Sequence, residues 1–371
     1  MERLRVSPRA DYQQRVESQG LSFHAREHYW NESACYHFSA AEVDTLEAAT
    51  AELHGLYEQA LERVILEKRL DELAVPSEFH AALATSWRKR APSVYGRFDL
   101  AYDGRSAPKL LEYNADTPTS LLEAAVIQWT WKEDCHPAAD QFNSIHERLI
   151  AAWSELPGSR AVTVACLTDQ EEDWVCSAYL LDTLVQAGRG GSILELAQIG
   201  WDGERRCFID EENRPLREVF KLYPWEWLMR EEFGPHLLEA DTTFVEPMYK
   251  AAFSSKGMLP LLWEYFPGHP NLLECHRSPD TLTSYAEKPL LSREGQNVRL
   301  VQDGRTLAAA TGVYGAEGSV YQALCTLPCF DGVHPVIGSW VIGGAPAGIG
   351  IRESQGLITT DSSRFVPHFF D

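Results

Sequence analysis

Two neighbouring stretches carry charged and amide side chains where a strand would hold a regular alternation: Arg97 and Asp99 in YGRFDLAYDG, and Glu112 and Asn114 in LLEYNADTPTSLLEA. Period-2 alternation places Arg97 and Asp99 on one face, opposite Phe98, Leu100 and Tyr102. It places Leu110, Glu112 and Asn114 together, opposite Leu111 and Tyr113. The intervening DGRSAP is a turn signal, so an antiparallel hairpin is expected. In that hairpin the four polar residues converge. Two carboxylates and an amide oxygen suit a hard cation, and Mg²⁺ takes one or two protein carboxylates together with substrate phosphates. The guanidinium would hold an anionic substrate group. A solvated sheet face with an ordinary Arg–Asp pair has the same spacing, so spacing alone leaves both readings open. Past Asn114, Thr117 reads as an N-cap, Pro118 as the first helical residue, and Ser120 with Glu123 as a capping box.

Other residues of interest lie farther along. A short strand ends in Lys288-Pro289 ahead of a polar Ser-Arg-Glu-Gly-Gln-Asn loop and a second strand, which would form a phosphate clamp with the lysine as point charge and loop amides as donors, or merely a hairpin. Lys256, in Ser-Ser-Lys-Gly, stands next to an apolar run that could wall an adenine pocket, although a solvated loop lysine reads the same way. Glu171 and Glu172 occupy the first turn of a predicted helix, where acidic residues complement the helix dipole without further purpose. Arg352 follows the alternation of Ile349 and Ile351 and is directed away from their apolar face; Asp361 and Arg364 lie in a polar loop. The chain holds no G-x-x-x-x-G-K-[ST], no strand-borne G-x-G-x-x-G, no H-E-x-x-H and no G-x-S-x-G, so P-loop, Rossmann, zincin and α/β-hydrolase chemistries lose their support.

The elements that would position these residues are α/β in character. Ser39 and Glu42 form a capping box for a helix expected to run to about Glu72. A helix around 136 to 154 should lead to a break at Pro157-Gly158. AVTVACLTD (161 to 169) reads as a buried strand, 171 to 188 as the helix after it closed by Gly188, and SILELAQI as the next strand. HPVIGSWVIGGAPAGIGI (334 to 351) is too rich in Gly and Pro for a membrane helix and reads as strands and a loop.

With 371 residues, two or three intimately packed subdomains are expected. The formal charge of −21 argues against nucleic acid and anionic membranes, and is compatible with a cationic small molecule as well as with plain solubility. Eight scattered cysteines without a C-x-x-C, two of them (Cys166 and Cys176) in apolar runs, point to a reducing cytoplasm, and MERLRVSPRADYQQR has no apolar core for a signal peptide.

Together, GRFDLAYDG, LLEYNADTPTSLLEA, TDQEEDW, the SSKGMLPLLWEYFPGHPNLL block, YAEKPLLSREGQNV, PAGIGIRES and SSRFVPH resemble the synthetase domain of the glutathionylspermidine synthase family, from roughly residue 20 to the C-terminus. The stand-alone members, acid–amine ligases, are the most similar. The resemblance implies an α/β fold of α+β character, ATP-grasp with a pre-ATP-grasp-like subdomain and mixed sheets, as one synthetase unit over 1 to 371. Within it, an α/β subdomain near 160 to 215 and a nucleotide-binding lobe near 245 to 345 are expected. It implies ATP and Mg²⁺, a small-molecule acid of glutathione or peptide type, and a polyamine or other small amine. Asp99, Glu112 and Asn114 resemble the magnesium ligands, and Arg97 the residue that steadies the carboxylate and its phosphorylated form. Arg352 resembles a catalytic arginine, while Lys256, Lys288, Gly295, Gln296 and Gln322 fall in the nucleotide-pocket segments. Thr117 and Thr119 fall where the family has acid-site hydroxyls, more familiarly serines, and Glu171, Glu172 and Asp361 match amine contacts. The N-terminal amidase domain of the bifunctional synthases has no counterpart, so hydrolysis of the conjugate is not expected. A non-catalytic nucleotide- or amine-binding protein, or a metal-dependent phosphohydrolase, would be the rival readings.

Overall fold

The computed structural model describes residues 1–26, 29–157 and 161–371. The expected hairpin forms: strands Tyr95–Ala101 and Lys109–Asn114 pair antiparallel with Arg97 opposite Asn114 and Asp99 opposite Glu112. They close one edge of a five-stranded antiparallel sheet in which Tyr95–Ala101 pairs with His334–Ile342, that strand with Ala345–Ser354, and that in turn with Arg364–Val366. One face carries Phe98, Leu100, Tyr113, Ile349 and Ile351 into the main core against helix Ala40–Leu66, whose Tyr57 abuts the stacked rings of Phe98 and Tyr113, 3.8 Å apart. The polar residues occupy the other face.

The hairpin departs from regular alternation at one place. Register slips between Asp99 and Leu100, so Leu100 pairs with Leu110 and Leu111 is an extra, bulged residue. Leu110 therefore enters the core with Phe98, and Leu111 turns toward a cavity beside Glu112, the reverse of the expected faces. The bulge presents two successive carbonyls to the neighbouring lobe. Leu110 O accepts from Gln322 Nε2 at 3.0 Å, and Leu111 O from Lys288 Nζ at 2.8 Å.

The capping box of Ser39 and Glu42 is present, but the long helix ends at Leu66 and not near Glu72, because Lys68 turns to φ +57° and the chain re-enters as a short 3-10 turn at Leu70–Leu73. The expected Thr117 cap and Ser120–Glu123 box do not form. Ser120 sits at φ +67°, and helical structure starts at Leu121 with a π-helical turn at Glu123–Ile127. Tertiary partners have taken the capping groups: Tyr29 Oη donates to the Glu123 carboxylate at 2.6 Å and is bonded to the Ser120 hydroxyl at 3.1 Å. The following helix, Gln128–Cys135, stops before Pro137, which pushes His136 out of the helical region, and a new helix covers Ile145–Glu155. Gly158 of the expected break lies outside the described residues.

A four-stranded parallel sheet holds Thr243–Val245, Glu218–Lys221, Val162–Cys166 and Gly191–Glu195 in that order, with helix Glu171–Gln186 as the crossover and Gly188 at φ +78° after it. A second five-stranded antiparallel sheet includes Tyr285–Pro289 between Ser319–Ala323 and Arg299–Gln302. Glu2–Arg5, Ala34–Phe38 and His368–Phe370 form a small sheet that joins both ends of the chain. None of the described helices is long and apolar enough to cross a membrane. Cys166 and Cys176 are buried free thiols.

Candidate active site

The polar face of the hairpin is organised around Asp99, which is 4% exposed. Its Oδ1 accepts from Arg97 Nε at 2.8 Å, and its Oδ2 accepts from Arg352 Nη2 at 2.8 Å and from Asn114 Nδ2 at 3.1 Å. Arg97 fits because Gly338 stands across the sheet: a Cβ there would lie 2.7 Å from Arg97 Cδ. Burial works against the charge of Arg97, but Asp99, then Glu112 and Glu172, more than offset it, and its Nη1 donates to Thr119 O at 2.9 Å.

Asn114 Nδ2 also donates to Glu112 Oε1, at 3.3 Å, so the amide lies between two carboxylates. Glu112 Oε2 is 3.1 Å from Lys256 Nζ. Burial alone would raise the Glu112 pKa, yet the ammoniums of Lys256 and Lys288 hold it down at about 2. Lys288 Nζ donates to Gln322 Oε1 at 2.7 Å, and burial pulls its pKa below the usual lysine value against the opposing pull of Glu112. Lys256 Nζ donates to Ser292 O at 2.7 Å, which ties the lysine to the loop after Lys288.

Several of these residues share a cavity of about 350 Å³. Asp99, Glu112, Lys256, Lys288, Gly295 and Gln322 line it, together with apolar residues that include Leu300, Leu324 and Leu357. Gly295, at φ +68°, lets the 292–297 loop close on the C-terminal loop; a Cβ there would sit 2.5 Å from Thr359 O. Gln296 is turned elsewhere, toward Gly312 and Glu294.

On the far side of Arg97 the surroundings are acidic. The Glu172 charge acts on Arg97 and on Glu123, and burial, reinforced by Glu172, pushes both Glu123 and Asp173 up to about 7. Glu171 is engaged by Ser22 Oγ and Arg26, and Asp361, which is exposed, accepts from Ser362 N and acts on Glu294. Thr117 Oγ1 accepts from Arg293 Nη1 at 2.8 Å.

Arg293 is a residue that alternation did not reveal. Its Nη2 pairs with Glu226 at 3.0 Å, so it fastens the loop after Lys288 to Thr117 and to helix Trp225–Leu228. Asp116 and Lys221, 2.6 Å apart and both buried, were likewise missed; they tie the exit of the hairpin to the parallel sheet. Their only signal in sequence was a lone acid beside a site residue and a lysine inside an apolar strand.

Among the described residues no cluster of three or more His, Cys, Asp or Glu could hold a metal ion. The donor set that does fit is two carboxylates with one amide: Asn114 already spans Asp99 and Glu112, and rotation of its amide would turn its oxygen toward the same point.

Residues 3–371 match the family described as glutathionylspermidine synthase preATP-grasp. The chain is 40% identical over 359 residues to a putative acid–amine ligase of Haemophilus influenzae, covering 92% of this chain and 91% of that protein. It is 28% identical to the trypanothione synthetase of Crithidia fasciculata and 29% identical to the bifunctional glutathionylspermidine synthetase/amidase of Escherichia coli, over 85% and 90% of this chain. It spans only 53% and 59% of the lengths of those two proteins. Among solved structures, a glutathione synthetase-like effector from Globodera pallida superposes with a TM-score of 0.58 at 9% identity, covering 97% of this chain and 96% of that one, a likeness of fold.

Proposed function

Since the chain belongs to the glutathionylspermidine synthase family, we propose that it is an ATP-dependent carboxylate–amine ligase acting through an acyl phosphate. The observation that carries this reading is the cavity itself: two lysines and two carboxylates line it together with apolar residues, and Arg97 and Arg352 are both bonded to its Asp99.

A carboxylate is a poor electrophile and needs a leaving group before an amine can displace it. In this reading Lys256 and Lys288 hold the phosphates of ATP, and Arg97 holds the acid's carboxylate with Thr117 and Thr119 beside it. The carboxylate oxygen takes the γ-phosphoryl group and ADP departs. Arg352 stabilises the charge of the transferring group, and positioning with cation stabilisation supplies most of the catalysis. Asp99, Glu112 and Asn114 would hold Mg²⁺, which when bound neutralises phosphate charge. The amine, bound as a cation by Glu172 with Glu171 and Asp361, gives a proton to one of these carboxylates and attacks the acyl carbon, expelling phosphate and leaving the amide. The crowding that raises Glu123 and Asp173 toward neutrality supports a cation site here, because a bound ammonium would relieve it. Gln296 and Gly295 belong to the loop over the nucleotide. The acid is of glutathione or peptide type and the amine a polyamine or other small amine, as the names of the relatives suggest. The cytoplasm is the proposed setting.

Hydroxylamine offered in place of the amine tests the intermediate. With Mg-ATP and a panel of carboxylates including glutathione, a hydroxamate should form, and Arg97→Ala should abolish it. ATP hydrolysis without hydroxamate, whatever the acid, would instead point to a phosphohydrolase.

A further inference from the structure

We infer that Arg3 and Glu353 are positioning residues for Arg352, so that the N-terminal strand governs the phosphoryl-transfer step at a site that it does not touch. The inference rests on the role given to Arg352 above. Successive residues of a strand project to opposite faces. Arg352 reaches Asp99 Oδ2 at 2.8 Å on one side of strand Ala345–Ser354, while Glu353 is wholly buried on the other.

The hold on Glu353 is complete. Arg3 Nε donates to Oε2 and Arg3 Nη2 to Oε1, each at 2.8 Å, and Tyr36 Oη donates to Oε2 at 2.9 Å. Arg3 and Tyr36 are direct cross-strand partners, so both donors come from one point of the sheet that joins the chain ends. A bidentate arginine–carboxylate pair fixes direction as well as distance. Strand Ala345–Ser354 needs such a hold, because its outer neighbour is only Arg364–Val366, with Arg352 opposite Phe365 and Glu353 opposite Arg364. A loosened Glu353 would release the backbone shared with Arg352, and displacements of about 1 Å at reacting groups lower rates by about 10²-fold.

A purely structural pair would affect stability alone, so the test separates the two. Arg3→Met, Glu353→Met and the double variant are compared with wild type at a temperature where circular dichroism shows each folded. The positioning role predicts that Arg3→Met lowers kcat for acid-dependent ADP formation by about 10²-fold with KM for ATP within about twofold. The double variant should recover Tm, since an apolar replacement of a buried pair is tolerated, while kcat stays low. Unchanged kcat in folded Arg3→Met, or recovery of kcat together with Tm, would overturn the inference. The Arg352 Nε–H resonance, assigned with Arg352→Lys, gives a readout independent of turnover: it should move in Arg3→Met, and an unmoved resonance refutes the positioning role even if wild type forms no ADP. Absence of ADP in wild type would count against the ligase reading instead.

Discussion

At Glu112 the competing forces can be ranked. Burial favours the neutral acid, yet two ammoniums hold its pKa at about 2, so the carboxylate is ionised throughout the useful pH range. The acid limb of any pH–rate profile should therefore not belong to this residue. Because the folded pKa is depressed, the stabilisation from Glu112 is present above its unfolded value of about 4.3 and is lost as pH falls toward 2. Glu112→Gln should leave circular dichroism unchanged and abolish ADP formation; loss of the folded spectrum would assign the residue a structural role. Arg97, Asp99, Glu112 and Asn114 were legible in the sequence because strand alternation is local and a charged residue breaking it is visible in a few letters. Arg293 was not legible. It looks like any loop arginine until folding brings Thr117 and Glu226, from segments far apart in sequence, to its two ends.

Among the elements, the bulge at Leu111 explains why the hairpin can serve two masters, core and site. Removing the extra residue leaves Leu100 opposite Leu110 and both faces consistent, but takes away the carbonyl that Lys288 uses. Deletion of Leu111 should therefore preserve the fold while weakening ATP binding by about 1.5–3 kcal/mol, or tenfold and more in Kd, as read by isothermal titration. A Kd matching wild type would show that the carbonyl does not matter. At the exit of the hairpin, Lys221→Met leaves Asp116 charged and buried, and chemical denaturation should find a loss of about 3–5 kcal/mol. The capping box of Ser39 was readable because both partners lie within four residues. The same pattern at Ser120 misled because Tyr29, ninety-one residues away, competes for both groups.

In the whole molecule, His54 and the buried His368 tie stability to pH. Burial lowers His54 to about 4, with Lys250 adding to the effect, and burial lowers His368 to about 3. Both are depressed below the unfolded value of about 6.5, so folding is favoured most above that pH, and stability falls as pH drops from 6.5 toward 3. The total for His368 is on the order of 5 kcal/mol when fully developed. Urea midpoints should drop between pH 7 and 5, and His368→Gln should flatten that slope; an unaltered slope would assign the dependence to carboxylates. The parallel strand–helix–strand unit was visible in sequence from its continuous apolar runs. The sheet joining Glu2–Arg5 to His368–Phe370 was not, since no short-range pattern records a pairing across the whole chain.

If ATP is spent here on activating an acid for an amine, ADP release reads that coupling. Mg-ATP is offered with a matrix of carboxylates, glutathione and small peptides among them, and amines, spermidine among them, with Lys288→Ala alongside. ADP that requires one acid and one amine together, and vanishes in Lys288→Ala, is the predicted result. ADP released at the same rate without any amine, or ATP bound with no pair stimulating turnover, would contradict it.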